Sequence, residues 1–122
     1  MSFCFCDIVT ITTNANGVGS GYTQNITGKI ATVIYTKVDY SDGVDFVIST
    51  EDTNQSIWGE NNVNASKTIA PRQKTQDTRG SDLVYVDAKY VCDKIPVSCE
   101  RIKISISSGG DTKSGMFKFI ID

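Results

Sequence analysis

An all-β fold, a single-domain antiparallel β-sandwich or barrel-like sandwich of about seven to eight short strands, is predicted by three features of the chain. Apolar and polar residues alternate over short stretches, those stretches are rich in β-branched and aromatic residues, and clusters of Gly, Asn, Asp and Ser separate them. Nothing in the chain reads as a convincing amphipathic helix. With 122 residues, 39% of them hydrophobic, the chain is long enough to bury one core without disulfides. No internal repeat or linker divides it. Residues 1–122 are therefore expected to form one domain, with 1–7 as a contact arm and 59–82 as a long loop.

The first strand is predicted from Phe3 to Thr13, with Phe3, Phe5, Val9 and Ile11 on the core face. Cys4, Cys6, Ile8, Thr10 and Thr12 take the other face, which makes the two thiols accessible. A Gly- and Asn-rich turn from Asn14 to Gly21 follows. The next strand, from about Asn25 to Val38, sets Ile26, Ile30 and Ile34 against Ala31, Val33 and Tyr35. With both faces partly apolar, it is expected to be central, covered on two sides, or half covered by a neighbouring subunit.

The acidic run from Asp39 to Gly43 is a sharp turn, expected to close a hairpin with the alternating strand of Val44, Phe46 and Ile48. Ser56-Ile-Trp58 begins a further strand, in which Trp58 reads first as a core or sheet anchor. A short strand near Lys67 to Ala70 precedes a long exposed loop through Arg79-Gly80. Leu83 to Cys92 reads as a strand, and Asp93 to Ser98 as a connection because Pro96 lacks a ladder donor. Ile102, Ile104 and Ile106, then the glycines at 109 and 110, then Phe117, Phe119 and Ile121 predict a terminal β-hairpin.

Composition narrows the function. Lys and Arg number 12 against 14 Asp and Glu, a formal charge of -2, and no basic stripe gathers to replace phosphate counterions, so nucleic acid is a poor partner. No apolar stretch approaches the roughly 20 residues that cross a bilayer. The opening Met-Ser-Phe-Cys-Phe-Cys-Asp lacks the basic and apolar regions of a secretory signal. The chain has no histidine, which removes the usual general base and the commonest metal ligand, and it is not read as an enzyme. No cofactor is expected. Asp39, Asp42 and Asp45 are explained by turn chemistry, and their spacing departs from a calcium-binding EF-hand loop. Asn25-Ile-Thr27, Asn54-Gln-Ser56 and Asn64-Ala-Ser66 match the glycosylation acceptor pattern without a secretory route to use it.

Cys4, Cys6, Cys92 and Cys99 admit three readings: small buried residues, a zinc set that lacks the usual two-residue knuckle, or cross-links. Cys4 and Cys6 lie about 7 Å apart along one strand face and cannot easily bridge each other. Cys92 and Cys99 close a small loop if the strands turn back between them. Inter-chain disulfides from the arm are the third course.

The run Asp42-Gly-Val-Asp-Phe-Val-Ile-Ser-Thr-Glu51, then Gln55-Ser-Ile-Trp58, Asn62-Val-Asn-Ala-Ser66 and Ala70-Pro-Arg72, resembles small virion structural proteins of tailed bacteriophages. Glu100-Arg-Ile-Lys-Ile104, Gly109-Gly110 and Lys113-Ser-Gly-Met-Phe117 extend the likeness, which covers roughly residues 25 to 122. The four cysteines are not part of that pattern. The resemblance implies a minor capsid or decoration protein on the capsid surface, made in the host cytoplasm, with the major capsid protein, other virion proteins and its own copies as partners. The cysteines then suggest inter-subunit cross-links. Phe3, Phe5, Trp58, Arg72 and Arg79 are the candidate contacts on the arm, the hairpin and the loop. A neck, collar or tail component uses the same fold, and a carbohydrate- or receptor-binding β-module is the alternative of a different class.

Overall fold

The computed structural model describes residues 5–84 and 91–122. Ten strands lie among them: β1 (Phe5–Thr12), β2 (Gly19–Tyr22), β3 (Ile26–Lys37), β4 (Val44–Thr50), β5 (Ser56–Val63), β6 (Lys67–Ile69), β7 (Arg72–Lys74), β8 (Cys92–Glu100), β9 (Ile102–Ser107) and β10 (Ser114–Ile121). Alternation is their cause. Val44, Phe46 and Ile48 in β4, Ile102, Ile104 and Ile106 in β9, and Phe117, Phe119 and Ile121 in β10 are all buried, while the residues between them face away from the core. The fold is an all-β sandwich of two antiparallel sheets, not closed into a barrel.

The larger sheet runs β1-β10-β3-β8-β7, with β6 also on β3, and the smaller runs β2-β9-β4-β5. Pairing of β1 with β10, β2 with β9, β3 with β8 and β4 with β5 makes one long folded-back ribbon. Pairing of β10 with β3 and of β9 with β4 rolls that ribbon up, which is a jelly-roll arrangement. β6 and β7 lie between β5 and β8 in sequence and extend the larger sheet.

Two connections expected as hairpins are instead crossings between the sheets. The turn at 39–43 leaves β3 in the larger sheet and enters β4 in the smaller, and the glycines at 109 and 110 carry the chain from β9 back to β10. Alternation tells which face a residue takes and says nothing about which strand pairs with which. The tight hairpin is β4 with β5, closed where Thr50 N–H donates to Gln55 O at 3.0 Å.

The mixed faces of β3 also have a local cause. Ile120 pairs with Thr32 and Ile121 with Ile30, which leaves Ala31 as an extra residue in a β-bulge. The bulge switches the phase: Ile26 and Ile30 are buried before it, Val33 and Tyr35 after it, and Ile34 turns outward. Residues 93–98, expected as a connection, belong to β8. Pro96 is tolerated there because β7 pairs only with Cys92, Asp93 and Lys94, so β8 is a sheet edge beyond them. The region 59–82, expected as a long loop, holds the end of β5, then β6 and β7, then a turn in which Asp77 Oδ1 accepts from Arg79 N at 2.8 Å and Ser81 N at 3.0 Å. Its polar composition hid short edge strands, which bury little. The expected strand from Leu83 to Cys92 lies mostly outside the described residues.

Between the sheets sits an aromatic cluster. Tyr35 and Phe117 from the larger sheet meet Phe46 from the smaller at ring-centroid distances of 5.2 and 5.1 Å, and Trp58 meets Phe46 edge-on at 4.8 Å. Tyr40, in the 39–43 crossing, packs its ring over Gly115 of β10 and donates its hydroxyl to Ile11 O of β1 at 2.6 Å. A Cβ at Gly115 would stand 2.2 Å from Tyr40 Cε2. At the opposite crossing, between β8 and β9, Glu100 is 4% exposed and its carboxylate clamps the β4–β5 turn, accepting from Asp52 N at 2.8 Å, Thr53 N at 3.1 Å and Thr53 Oγ1 at 2.9 Å. The backbone N–H of Thr53 leads in holding that carboxyl below its usual range, with burial opposing it.

Three outcomes follow for stability, each read by chemical or thermal unfolding. Gly115→Ala is expected to cost about 1–3 kcal/mol, because Tyr40 cannot give way without leaving Ile11. Tyr35→Phe is expected to hold or raise stability by up to about 1 kcal/mol, since the Tyr35 hydroxyl is buried with no hydrogen-bond partner among the described residues. A loss on that substitution would show that the hydroxyl has found one. Glu100 has a folded pKa below its unfolded value near 4.5, so its contribution is fully present above that pH and is lost as pH falls through the folded value. The stability gap between the protein and its Glu100→Gln variant should therefore be constant at neutral pH and close on acidification. A gap independent of pH would refute the clamp.

Candidate interaction surface

The acidic residues that suggested a cation site each hold a different partner. Asp39 Oδ1 accepts from Ser114 N at 2.5 Å, Asp42 pairs with Lys37 Nζ at 2.5 Å, and Asp45 Oδ1 accepts from Asn62 N at 2.8 Å. Among the described residues no three His, Cys, Asp or Glu gather as a metal site. The displaced ionisations serve the fold as well. Glu60 is held low chiefly by its hydrogen bond from Lys67, and burial pushes Tyr35 and Tyr40 up. The chain has no histidine to act beside them.

The candidate cross-link residues are dispersed. Cys6 is exposed on β1, as its phase predicts, and Cys4 with Phe3 lies outside the described residues. Cys92 and Cys99 are exposed, and both belong to the one strand β8. Seven positions along an extended strand span roughly 23 Å, so they cannot close a loop on each other. Cys99 is the extra residue of a second bulge, with φ 56° and its N–H donating to Thr27 Oγ1 at 3.1 Å.

Among the candidate contacts, Phe5 is 42% exposed at the start of β1, and Arg79 is exposed at the Asp77 turn. Arg72 is exposed but engaged: its Nη1 donates to Pro71 O at 2.8 Å and to Ala31 O at 3.1 Å, so it satisfies the carbonyl at the β3 bulge. Trp58 is the core anchor it first reads as and not the contact it was also a candidate for. At 8% exposure it belongs to the core, with its indole N–H donating to Glu60 Oε1 at 3.2 Å, because the phase of β5 beside Ile48 turns it inward.

The register of the larger sheet assembles a surface that the strand-by-strand reading missed. On its outer face Cys6 lies opposite Ile120 and then Thr32, Ile8 opposite Lys118 and then Ile34, and Thr10 opposite Met116 and then Thr36. Ile8 and Ile34 flank Lys118 and stand diagonal to Met116 and Ile120, at the roughly 7–8 Å of diagonal cross-strand neighbours, so the four surround the Lys118 stem as one apolar group. Ile8 is 53% exposed and the other three are half-buried, so the described chain leaves this face open. The sequence signal was present in Ile8 and Ile34, apolar residues in excess of what one core face needs. Joining them required the pairing of β1 and β3 through β10.

A second feature is an open cleft of about 340 Å³ beside β7 and β8, lined by Gln73, Thr75, Gln76, Asp77, Asp93 and Lys94 among others. Three lysines and two aspartates line it, Lys94 is paired with Asp122, and no aromatic ring is in its lining. Of the five tyrosines, Tyr35 and Tyr40 are in the core, Tyr22 is 41% exposed beneath the Arg101 guanidinium at 4.2 Å, and two lie outside the described residues.

No protein-family model matches the chain, and no curated protein matches it. Among solved structures, it is similar to TmCBM61 in complex with β-1,4-galactotriose, at 18% identity and a TM-score of 0.28, over 94% of this chain and 66% of that one. At that distance the likeness bears on neither ligand nor partner.

Proposed function

We propose that the chain is a virion structural protein of a tailed bacteriophage, a minor capsid or decoration protein that binds the capsid lattice and performs no catalysis. The observation that carries this reading is the open apolar face of the larger sheet, formed by Ile8, Ile34, Met116 and Ile120. In an antiparallel sandwich the outer face is ordinarily polar, and a contiguous apolar group there marks a place where another protein docks. The resemblance of residues 25 to 122 to phage virion proteins names the class of partner. The scattered aspartates and the lack of histidine fit a protein whose work is contact. Each copy would add a modest area, and many copies on a regular lattice convert weak contacts into a durable coat. Cys6, exposed beside Ile120, is placed to make selected contacts covalent once the particle leaves a reducing cytoplasm.

The test is co-sedimentation of the purified chain with capsids that lack it. Wild-type protein should bind saturably at a ratio set by the lattice. The double variant Ile34→Lys with Ile120→Lys should keep its unfolding transition and lose at least about tenfold in affinity, since burying even one such side chain is worth about 1.5–3 kcal/mol. A chain that leaves capsids bare but binds a soluble oligosaccharide saturably as a monomer would overturn the assembly reading in favour of the carbohydrate-binding one.

A further inference from the structure

Among the described residues, the edge strands of the two sheets are not equally protected. β2 is four residues long and β7 three, while β5 is broken by two register shifts against β4. Short, bulged or charged edges resist pairing with another strand. β1 has none of these defences. Its eight residues run in unbroken register with β10 and contain no proline, lysine or arginine. Its single charge, Asp7, is turned to its own chain, where the carboxylate accepts from Gln24 N at 3.1 Å.

The phase of the free edge can be fixed. Thr13 N–H donates to Lys113 O of the β10 side at 2.8 Å, so along β1 the odd-numbered residues turn their backbone groups to β10. The even-numbered ones turn theirs away from it. The Thr12 carbonyl is covered by β2, since a Cβ at Gly19 would meet it at 3.1 Å. Cys6, Ile8 and Thr10 therefore turn their N–H and C=O groups to an edge that no strand among the described residues covers, with uncharged side chains on the outer face.

We propose that this edge pairs antiparallel with the same edge of a second copy of the chain, about a two-fold axis through Ile8. An isologous contact sets like against like, so it requires an edge that does not repel itself. An axis at Asp7 would set two carboxylates opposite each other, which is unfavourable. At Ile8 the pairs are Ile8 with Ile8, Cys6 with Thr10, and Asp7 with Val9, and no like charges meet. Pairing continues the larger sheet through both copies. It concerns the edge and not the face, and so stands apart from the particle-binding reading.

Sedimentation equilibrium of the purified chain, with no capsid present, tests it from micromolar to millimolar concentration. Wild-type protein should approach twice its 13.3 kDa mass. Ile8→Pro removes only an outward N–H, and Ile8→Lys sets two ammonium groups on the axis. Each should remain at the monomer mass with its unfolding transition intact, and the lysine variant decides the matter if the proline variant does not fold. Ile34→Lys with Ile120→Lys should still dimerise. A wild-type chain that stays monomeric throughout, or an Ile8→Lys variant that dimerises like wild type, would overturn the proposal.

Discussion

The structure depends on a tyrosine that bridges one crossing. Nearly every connection in a jelly roll carries the chain from one sheet to the other, so the sheets hold their spacing only if the crossings are anchored. Tyr40 anchors the one between β3 and β4. Its hydroxyl is bonded to Ile11 O of β1, its ring fills the space over Gly115 of β10, and it stacks with Tyr35 of β3 at 6.3 Å. Three adjacent strands of the larger sheet are thus fixed by one side chain belonging to none of them. The neighbouring Asp39 binds Ser114 through both backbone and carboxylate, which keeps the crossing close to β10. The Glu100 clamp does comparable work where β8 passes into β9 through the single residue Arg101. The aromatic cluster then fills the space that these anchors define.

This arrangement explains which parts of the fold were legible in the sequence. Strand phase was readable wherever a buried residue recurred at every second position, as in β4, β9 and β10, because the pleat enforces that period. Partners were not readable. Val44, Phe46 and Ile48 follow an acidic turn as a hairpin strand would, yet β4 pairs with β5 and β9. What distinguishes a crossing from a hairpin here is Tyr40, an apolar residue inside the turn, and Gly115, a small residue in a core position that admits its ring. The two lie 75 positions apart, so neither signals the crossing until both are placed.

The candidate surface was hidden for a related reason. Ile34 was grouped on one face with Ile26 and Ile30 because the period was carried unbroken through β3, and the bulge at Ala31 reverses it. A bulge leaves little trace in a sequence, and this one is compensated from a distance by Arg72, which reaches the Ala31 carbonyl. The reading that β3 is apolar on both faces was nonetheless informative. It located a strand whose outer face carries more apolar surface than solvent favours, and Ile8, Met116 and Ile120 surround that position in the register. Trp58 shows the opposite case. Its reading as a core anchor needed only the local phase, and in this sheet the phase of β5 commits it to the core.

Edge and face are geometrically linked in this sandwich, which bears on how a shell could be coated. Pairing two copies through β1 would leave both outer faces of the larger sheets on the same side of one continuous sheet, subject to its twist. The Ile34 and Ile120 groups would then form two patches held at a fixed separation, one on each side of the Ile8 axis. A lattice that engaged both would bind the pair far more tightly than either copy alone, because the second contact forms at a high effective concentration. One that could engage only one patch would gain nothing from the pairing. Under the proposed capsid binding, the spacing set by β1 and β10 would decide which lattice repeat a pair could follow, and the strand edge would act as the ruler for the face.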